Sequence, residues 1–87
     1  MSLHLVKSTT GYLSCLNIAT EQDAVLLLND ATYLLCQQQT PLHPHIFALE
    51  TDLAARNILH NVPNTLTIID YSQMVELSIQ HNNSMTW

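Results

Sequence analysis

Four short apolar runs, at residues 3–6, 24–28, 45–49 and 66–69, constrain this chain more than any other feature. Each is rich in Leu, Val or Ile, and none alternates strictly with polar residues. A strand with one wet face alternates, whereas a strand covered on both faces reads as a continuous apolar run, as in parallel sheets flanked by helices. The stretches between the runs carry helical spacing instead. Residues 11–20 set Tyr12, Cys15, Leu16 and Ala19 on one side and Ser14 and Asn17 on the other. Residues 31–38 carry Leu34 and Leu35 and then fray into Gln37, Gln38 and Gln39; 51–57 carry Leu53 and Ala54, and 71–80 carry Met74, Val75, Leu77 and Ile79. This alternation predicts an α/β fold of three layers, α/β/α, with a largely parallel sheet of about four strands, short helices and right-handed crossovers.

The junctions agree. Asp30, Thr51 or Asp52, and Asp70 or Ser72 each follow an apolar run and open a helical stretch, where a short oxygen side chain accepts from free backbone N–H groups. Asn57 follows Arg56 at the expected end of the third helix, and asparagine tolerates the left-handed conformation used there. Pro41 and Pro44 punctuate the approach to the third run, and Pro63 the approach to the fourth. With 87 residues, a single domain over 1–87 is expected.

Charge limits the functions open to such a domain. Two basic residues, Lys7 and Arg56, stand against seven acids, for a formal net charge of −5. Phosphate backbones are gripped mainly through Lys and Arg, so no direct nucleic acid is expected as a partner, and the same shortage argues against an anionic membrane surface. The longest strongly apolar run, 24–28, is far short of the roughly 20 residues that span a bilayer. Residues 1–7 lack a basic segment leading into a long apolar one, so no signal peptide is expected and the cytoplasm, with reduced thiols, is the expected compartment. Hydrophobic residues make up 47% of the chain and charged ones 10%, which removes disorder. A domain this short cannot hide so large an apolar share, so a contiguous exposed face that meets another subunit is expected.

Few residues offer chemistry. The chain's one glycine cannot build a phosphate-cradling loop. Asp30, Glu50 and Asp70 fall at the carboxyl ends of three expected strands, where α/β ligand sites lie, but helix capping explains them without a metal or an acid/base role. His43 and His45 flank Pro44, while His4, His60 and His81 are scattered, so no metal site is expected and the histidines read as solvent-exposed or core-edge. Cys15 falls on the apolar side of its helix, where a thiol packs as a small hydrophobe, and Cys36, among Leu34, Leu35 and Gln37, reads as structural more strongly still. Asp52 and Arg56, four apart, suit a local ion pair. Trp87 either packs back on the domain or anchors a partner.

Taken in order, five segments resemble the TusB/DsrH family of sulfur-relay proteins. Leu3-His4-Leu5-Val6-Lys7-Ser8 is similar to the family's first strand and the basic-Ser step after it. Residues 24–30, AVLLLND, resemble its second strand running into an aspartate, and 45–56, HIFALETDLAAR, its third strand and "ALxxDLxAR" segment. Residues 66–75, LTIIDYSQMV, resemble "IDYxxFV", and Ser84-Met85-Thr86-Trp87 resembles the "QMAW" close, which favours the TusB branch. Ala31 and Asn57 stand where the family commonly has glycine; Asn57 can take that glycine's conformation, and Ala31 points to a simple helix start.

The resemblance implies a DsrE-like fold and a non-catalytic subunit without a cofactor. TusC-like and TusD-like subunits are the implied partners in a heterohexamer, with TusA and TusE as indirect ones. Such a complex passes persulfide sulfur towards 2-thiolation of the tRNA wobble uridine, and its working cysteine belongs to TusD. Cys15, in SCLNIAT, aligns with a cysteine that DsrH proteins carry, which makes it the candidate sulfur-carrying thiol. Two other readings stay open: a DsrH-like carrier with a persulfide on Cys15 in sulfur oxidation, and a homo-oligomeric binding module that shares only the fold.

Overall fold

The apolar runs assemble into one parallel sheet. The computed structural model describes residues 2–36, 42–81 and 83–87; the expected fraying at Gln37, Gln38 and Gln39 and the punctuation at Pro41 lie outside them. Strands β1 (Ser2–Val6), β2 (Ala24–Leu27), β3 (Ile46–Leu49) and β4 (Thr67–Ile69) follow the four runs, and a fifth, β5 (Asn83–Thr86), joins them. Their order is β4-β3-β2-β1-β5, with every neighbouring pair parallel. The expectation of about four strands is thus one short. β5 carries no apolar run, because it is held by its backbone ladder on β1 and its side chains stay mostly exposed.

Side-chain alternation gives the sheet two apolar faces. On one, Val6, Val25, Leu27, Ile46 and Ala48 pack with Tyr12 and Cys15 of α1 (Thr9–Leu16), with Ala31, Leu34 and Leu35 of a 3₁₀ helix (Asn29–Cys36), and with Leu53 of α2 (Glu50–Ala55). On the other, Leu3, Ala24, Leu26, Leu49 and Ile69 meet Met74 and Leu77 of α3 (Tyr71–Gln80). That is the expected three-layer architecture, with, among the described residues, three helical segments on one side and a single helix on the other.

Local chemistry sets the helix boundaries. Ser8 caps α1, accepting from the Gly11 N–H at 3.0 Å, so the helix begins two residues before the apolar spacing does. Asp70 caps α3 in a reciprocal box with Gln73, as expected for that junction. The cap of α2 is different: Leu49 holds the N-cap position without a side-chain bond, and Asp52 instead accepts from the Asn29 N–H at 3.1 Å. Neither Thr51 nor Asp52 is therefore the cap. Asn57 is left-handed, at φ 58°, as its position requires, and Asn29 shares that conformation at φ 52°.

The second helical segment departs most from expectation. It begins at Asn29, ahead of Ala31 and Asp30, and is 3₁₀ throughout. The left-handed Asn29 tightens the entry, and the Thr32 hydroxyl donates to the Asn29 carbonyl at 2.7 Å. A repeat of three leaves Asp30, Tyr33 and Cys36 exposed on one edge while 31, 32, 34 and 35 are buried. Cys36 is consequently an exposed thiol, which corrects its reading as a packed core residue.

Candidate functional site

Cys15, the candidate sulfur carrier, sits in the last turns of α1 with its side chain in the larger core cluster, fully buried. Burial pushes its thiol up to about 11, and the nearby Asp23 carboxylate adds to the shift. Both effects disfavour the thiolate, which is the nucleophilic form.

Asp23 belongs to a chain of three side chains, two buried and one, Trp87, partly buried. His4, fully buried in β1, places Nε2 2.8 Å from Asp23 Oδ2, and the Trp87 indole donates to His4 Nδ1 at 3.1 Å. An indole N–H only donates, so Nδ1 accepts and the ring proton lies on Nε2, facing Asp23. Asp23 also accepts from the Ser2 and Thr20 backbone N–H groups, at 2.9 and 3.2 Å. Burial opposes ionisation of Asp23, but the bonds from His4, Ser2 and Thr20 together outweigh it and hold the carboxyl well below the usual range. The Asp–His pair has the geometry that orients a catalytic histidine, but an indole occupies the nitrogen that would serve a nucleophile.

His43 is buried too. Its Nε2 donates to the Thr20 carbonyl at 2.7 Å, its Nδ1 accepts from the His45 N–H at 3.0 Å, and its own backbone N–H donates to the Tyr12 hydroxyl at 3.1 Å. Both ring nitrogens are committed, so His43 ties the loop before β3 to α1, through Tyr12, and to the segment after it, through Thr20. The reading of the histidines as exposed or core-edge is thus wrong for His4 and His43. Among the described residues, no three His, Cys, Asp or Glu side chains converge as a metal site, and no buried side-chain nitrogen or oxygen lacks a partner.

At the carboxyl ends of the strands the acids are engaged locally. Arg56 meets Asp30 at 3.2 Å and the expected Asp52 at 3.7 Å, and its guanidinium lies 6.0 Å from the centre of the Tyr33 ring. Asp70 caps α3, and Glu50 lies in the first turn of α2.

What the fold leaves open is apolar surface. Tyr71, Val75 and Ile79, one helical turn apart on α3, are all more than half exposed, and Glu76 is the one charged residue of that helix. Ile68 of the edge strand β4 is exposed as well. Beneath α3, Phe47 and Leu77 are only partly covered, and two open clefts of about 190 and 240 Å³ share Phe47, Leu77 and Gln80 as walls. No helix among the described residues is long and apolar enough to cross a membrane.

Comparison with known proteins places this arrangement. The family described as DsrH like protein matches residues 7–84. Protein TusB of Shigella dysenteriae serotype 1 is 30% identical over 94 aligned positions, covering 99% of this chain and 97% of that protein. Protein TusB of Escherichia coli is similar to the same degree, 30% over 94 positions, with the same coverage.

Proposed function

This chain belongs to the DsrH-like family, and from that premise we propose that it works as a subunit of a TusBCD-like sulfur-relay complex. TusC-like and TusD-like subunits complete the assembly, persulfide sulfur enters from TusA and leaves through TusE, and the product is 2-thiolated wobble uridine in tRNA. The cytoplasm is the compartment this role requires. The chain contributes contact surface and no reacting group of its own. The observation that carries this reading is the pairing of an exposed apolar α3 face with a thiol, Cys15, that is buried and held protonated. A sulfur carrier needs the reverse, an exposed thiol of lowered pKa. We therefore assign Cys15 to the core.

Co-expression with TusC-like and TusD-like chains tests the reading, with gel filtration and mass determination as readouts. A stable hetero-oligomer is expected, and Val75→Asp with Ile79→Asp is expected to weaken it. Both positions are exposed, so the paired variant should change the stability of the isolated chain by no more than about 0.5 kcal/mol per site. Cys15→Ala should leave tRNA thiolation in cells intact. No complex, or only a self-assembly of this chain, defeats the proposal; an intact complex that loses thiolation with Cys15→Ala makes the thiol the carrier instead.

A further inference from the structure

We infer that the bond between the Trp87 indole and the buried His4 ring is a proton-sensitive latch, which holds β5 on the sheet and releases it on acidification. The inference is independent of the sulfur-relay reading. It rests on the direction of two hydrogen bonds. His4 is fully buried, with Nε2 donating to Asp23 Oδ2 at 2.8 Å and Nδ1 accepting from the indole at 3.1 Å. A second proton has only Nδ1 to bind, where it would face the indole N–H at that short distance. Indole docking and a doubly protonated ring therefore exclude each other. Asp23, on the far side of the ring, stabilises the imidazolium, so acid displaces Trp87 and leaves the Asp23 bond in place.

The groups around the ring are few. Asp23, from the turn before β2, supplies the charge that faces it. The helix α1, packed against the same sheet face, brings Tyr12 and Cys15, both raised by burial and so uncharged from neutral to mildly acidic pH. Val25, opposite His4 on β2, and Met85, opposite it on β5, carry no charge. Imidazole is the side chain that titrates in this range. The open state binds the extra proton and the latched state does not, so falling pH favours opening.

Apart from its backbone ladder on β1, β5 has this contact as its main side-chain anchor. It pairs with β1 alone, and Met85 is its one partly covered residue. Trp87 supplies the rest. Its N–H donates to the Leu5 carbonyl at 2.8 Å, its carbonyl accepts from the Lys7 N–H at 3.0 Å, and its ring packs against the larger core cluster. Once it leaves, the outer edge of β1 is an unpaired parallel edge, open to another strand.

The full chain tests this, with Trp87 as its single tryptophan. Indole N–H resonance, tryptophan emission and amide exchange of Lys7 and Trp87, corrected for intrinsic rates, are followed from pH 7.5 to pH 5. A step is expected in the first two, with exchange accelerated by about tenfold or more. His4→Gln, whose amide both accepts and donates without titrating, should abolish the step. Trp87→Phe, which keeps a ring but loses the donor, should show fast Lys7 exchange already at pH 7.5 and no pH dependence; it serves equally if His4→Gln fails to fold. An indole resonance that stays constant over the range overturns the latch. So does a step that survives in His4→Gln, or a simultaneous loss of protection in β2, which would mean that the whole fold responds.

Discussion

Gly11→Ala puts two opposing effects at one position. Gly11 is the third residue of α1 and has no positive φ, so its backbone does not need glycine. On helix propensity alone, alanine would stabilise by up to about 1 kcal/mol. The surroundings oppose it. A Cβ built there lies 2.9 Å from Ser8 Oγ, 2.9 Å from the Trp87 carbonyl carbon and 3.2 Å from Trp87 Cβ. Ser8 can turn away only by giving up its cap, a loss of about 1 kcal/mol. The Trp87 atoms belong to a backbone tied to β1 on both sides, through Leu5 and Lys7, and can move only by giving up those bonds. Forcing extra volume into packed structure costs about 1–3 kcal/mol. Crowding and cap loss exceed the propensity gain, and a net destabilisation of about 1–3 kcal/mol remains.

In a domain of this size that lowers the melting temperature by at least about 4 °C, read by circular dichroism. Urea titration should show a lower midpoint at an unchanged slope. The decisive control is the same substitution in a chain lacking residues 83–87. With Trp87 gone, propensity is unopposed by the strand, and the sign of the effect should move towards stabilisation. If Gly11→Ala in the full chain is as stable as the wild type or more so, the close approach of Trp87 to α1 is refuted.

Native thiol titration at pH 8 should find one fast-reacting cysteine, Cys36, and a second that reacts only on unfolding; with its thiol pushed up to about 11, Cys15 is then ionised in about one molecule in a thousand. Two fast thiols would contradict the burial of Cys15. Asp23→Asn removes the charge and one of the two oxygens that accept from His4, Ser2 and Thr20, and should cost about 2–3 kcal/mol at pH 7, measured by urea unfolding. The folded carboxyl lies below its unfolded value of about 3.9, so its contribution is complete above that pH and drains away as pH falls further; melting curves should show the wild type losing its advantage over Asp23→Asn below about pH 4.

Which parts of the fold were legible depended on how each part is held. β1 to β4 are held by side chains buried on both faces or at an edge of the core, so burial wrote branched apolar runs into them. β5 is held by main-chain bonds and one anchoring residue, so Asn83, Ser84, Met85 and Thr86 carry no pattern to read. The 3₁₀ segment misled for a related reason. Leu34 and Leu35 are compatible with either helix, and the choice was made by Asn29 and Thr32, whose hydrogen bonds leave no periodic trace. His4 could have been placed: between Leu3 and Leu5, in a strand without a polar face, an imidazole must be buried and needs partners. Those partners, Asp23 and Trp87, lie 19 and 83 residues away, beyond any local signal. The isolation of Cys15 from solvent was visible in the apolar spacing of α1, whereas the exposure of Cys36 followed from a helical repeat that the sequence did not declare.

The exposed apolar face follows from topology. Crossovers of one hand carry the chain from β1 to β2, β3 and β4 along a single face, and the return to β5 reverses direction, so it must pass over the other face. One helix makes that return. Its ten residues extend about 15 Å, while the five strand axes span about 19 Å, and a helix with side chains is about 10 Å wide. A single such helix lying across the sheet covers a band and no more. Leu5, Leu28 and Phe47 are therefore left half-covered around it, clefts open beside it, and none of its own residues is buried. On the opposite side three helical segments pack on the larger of the two core clusters. The chain's scarcity of charge shows on both sides of the sheet: Leu13, Ile18 and Tyr33 are exposed on the side of α1 and the 3₁₀ helix, and Tyr71, Val75 and Ile79 stand in solvent along α3. A longer α3 or a second helix would complete that layer within the chain; with neither among the described residues, the layer stays open beside α3.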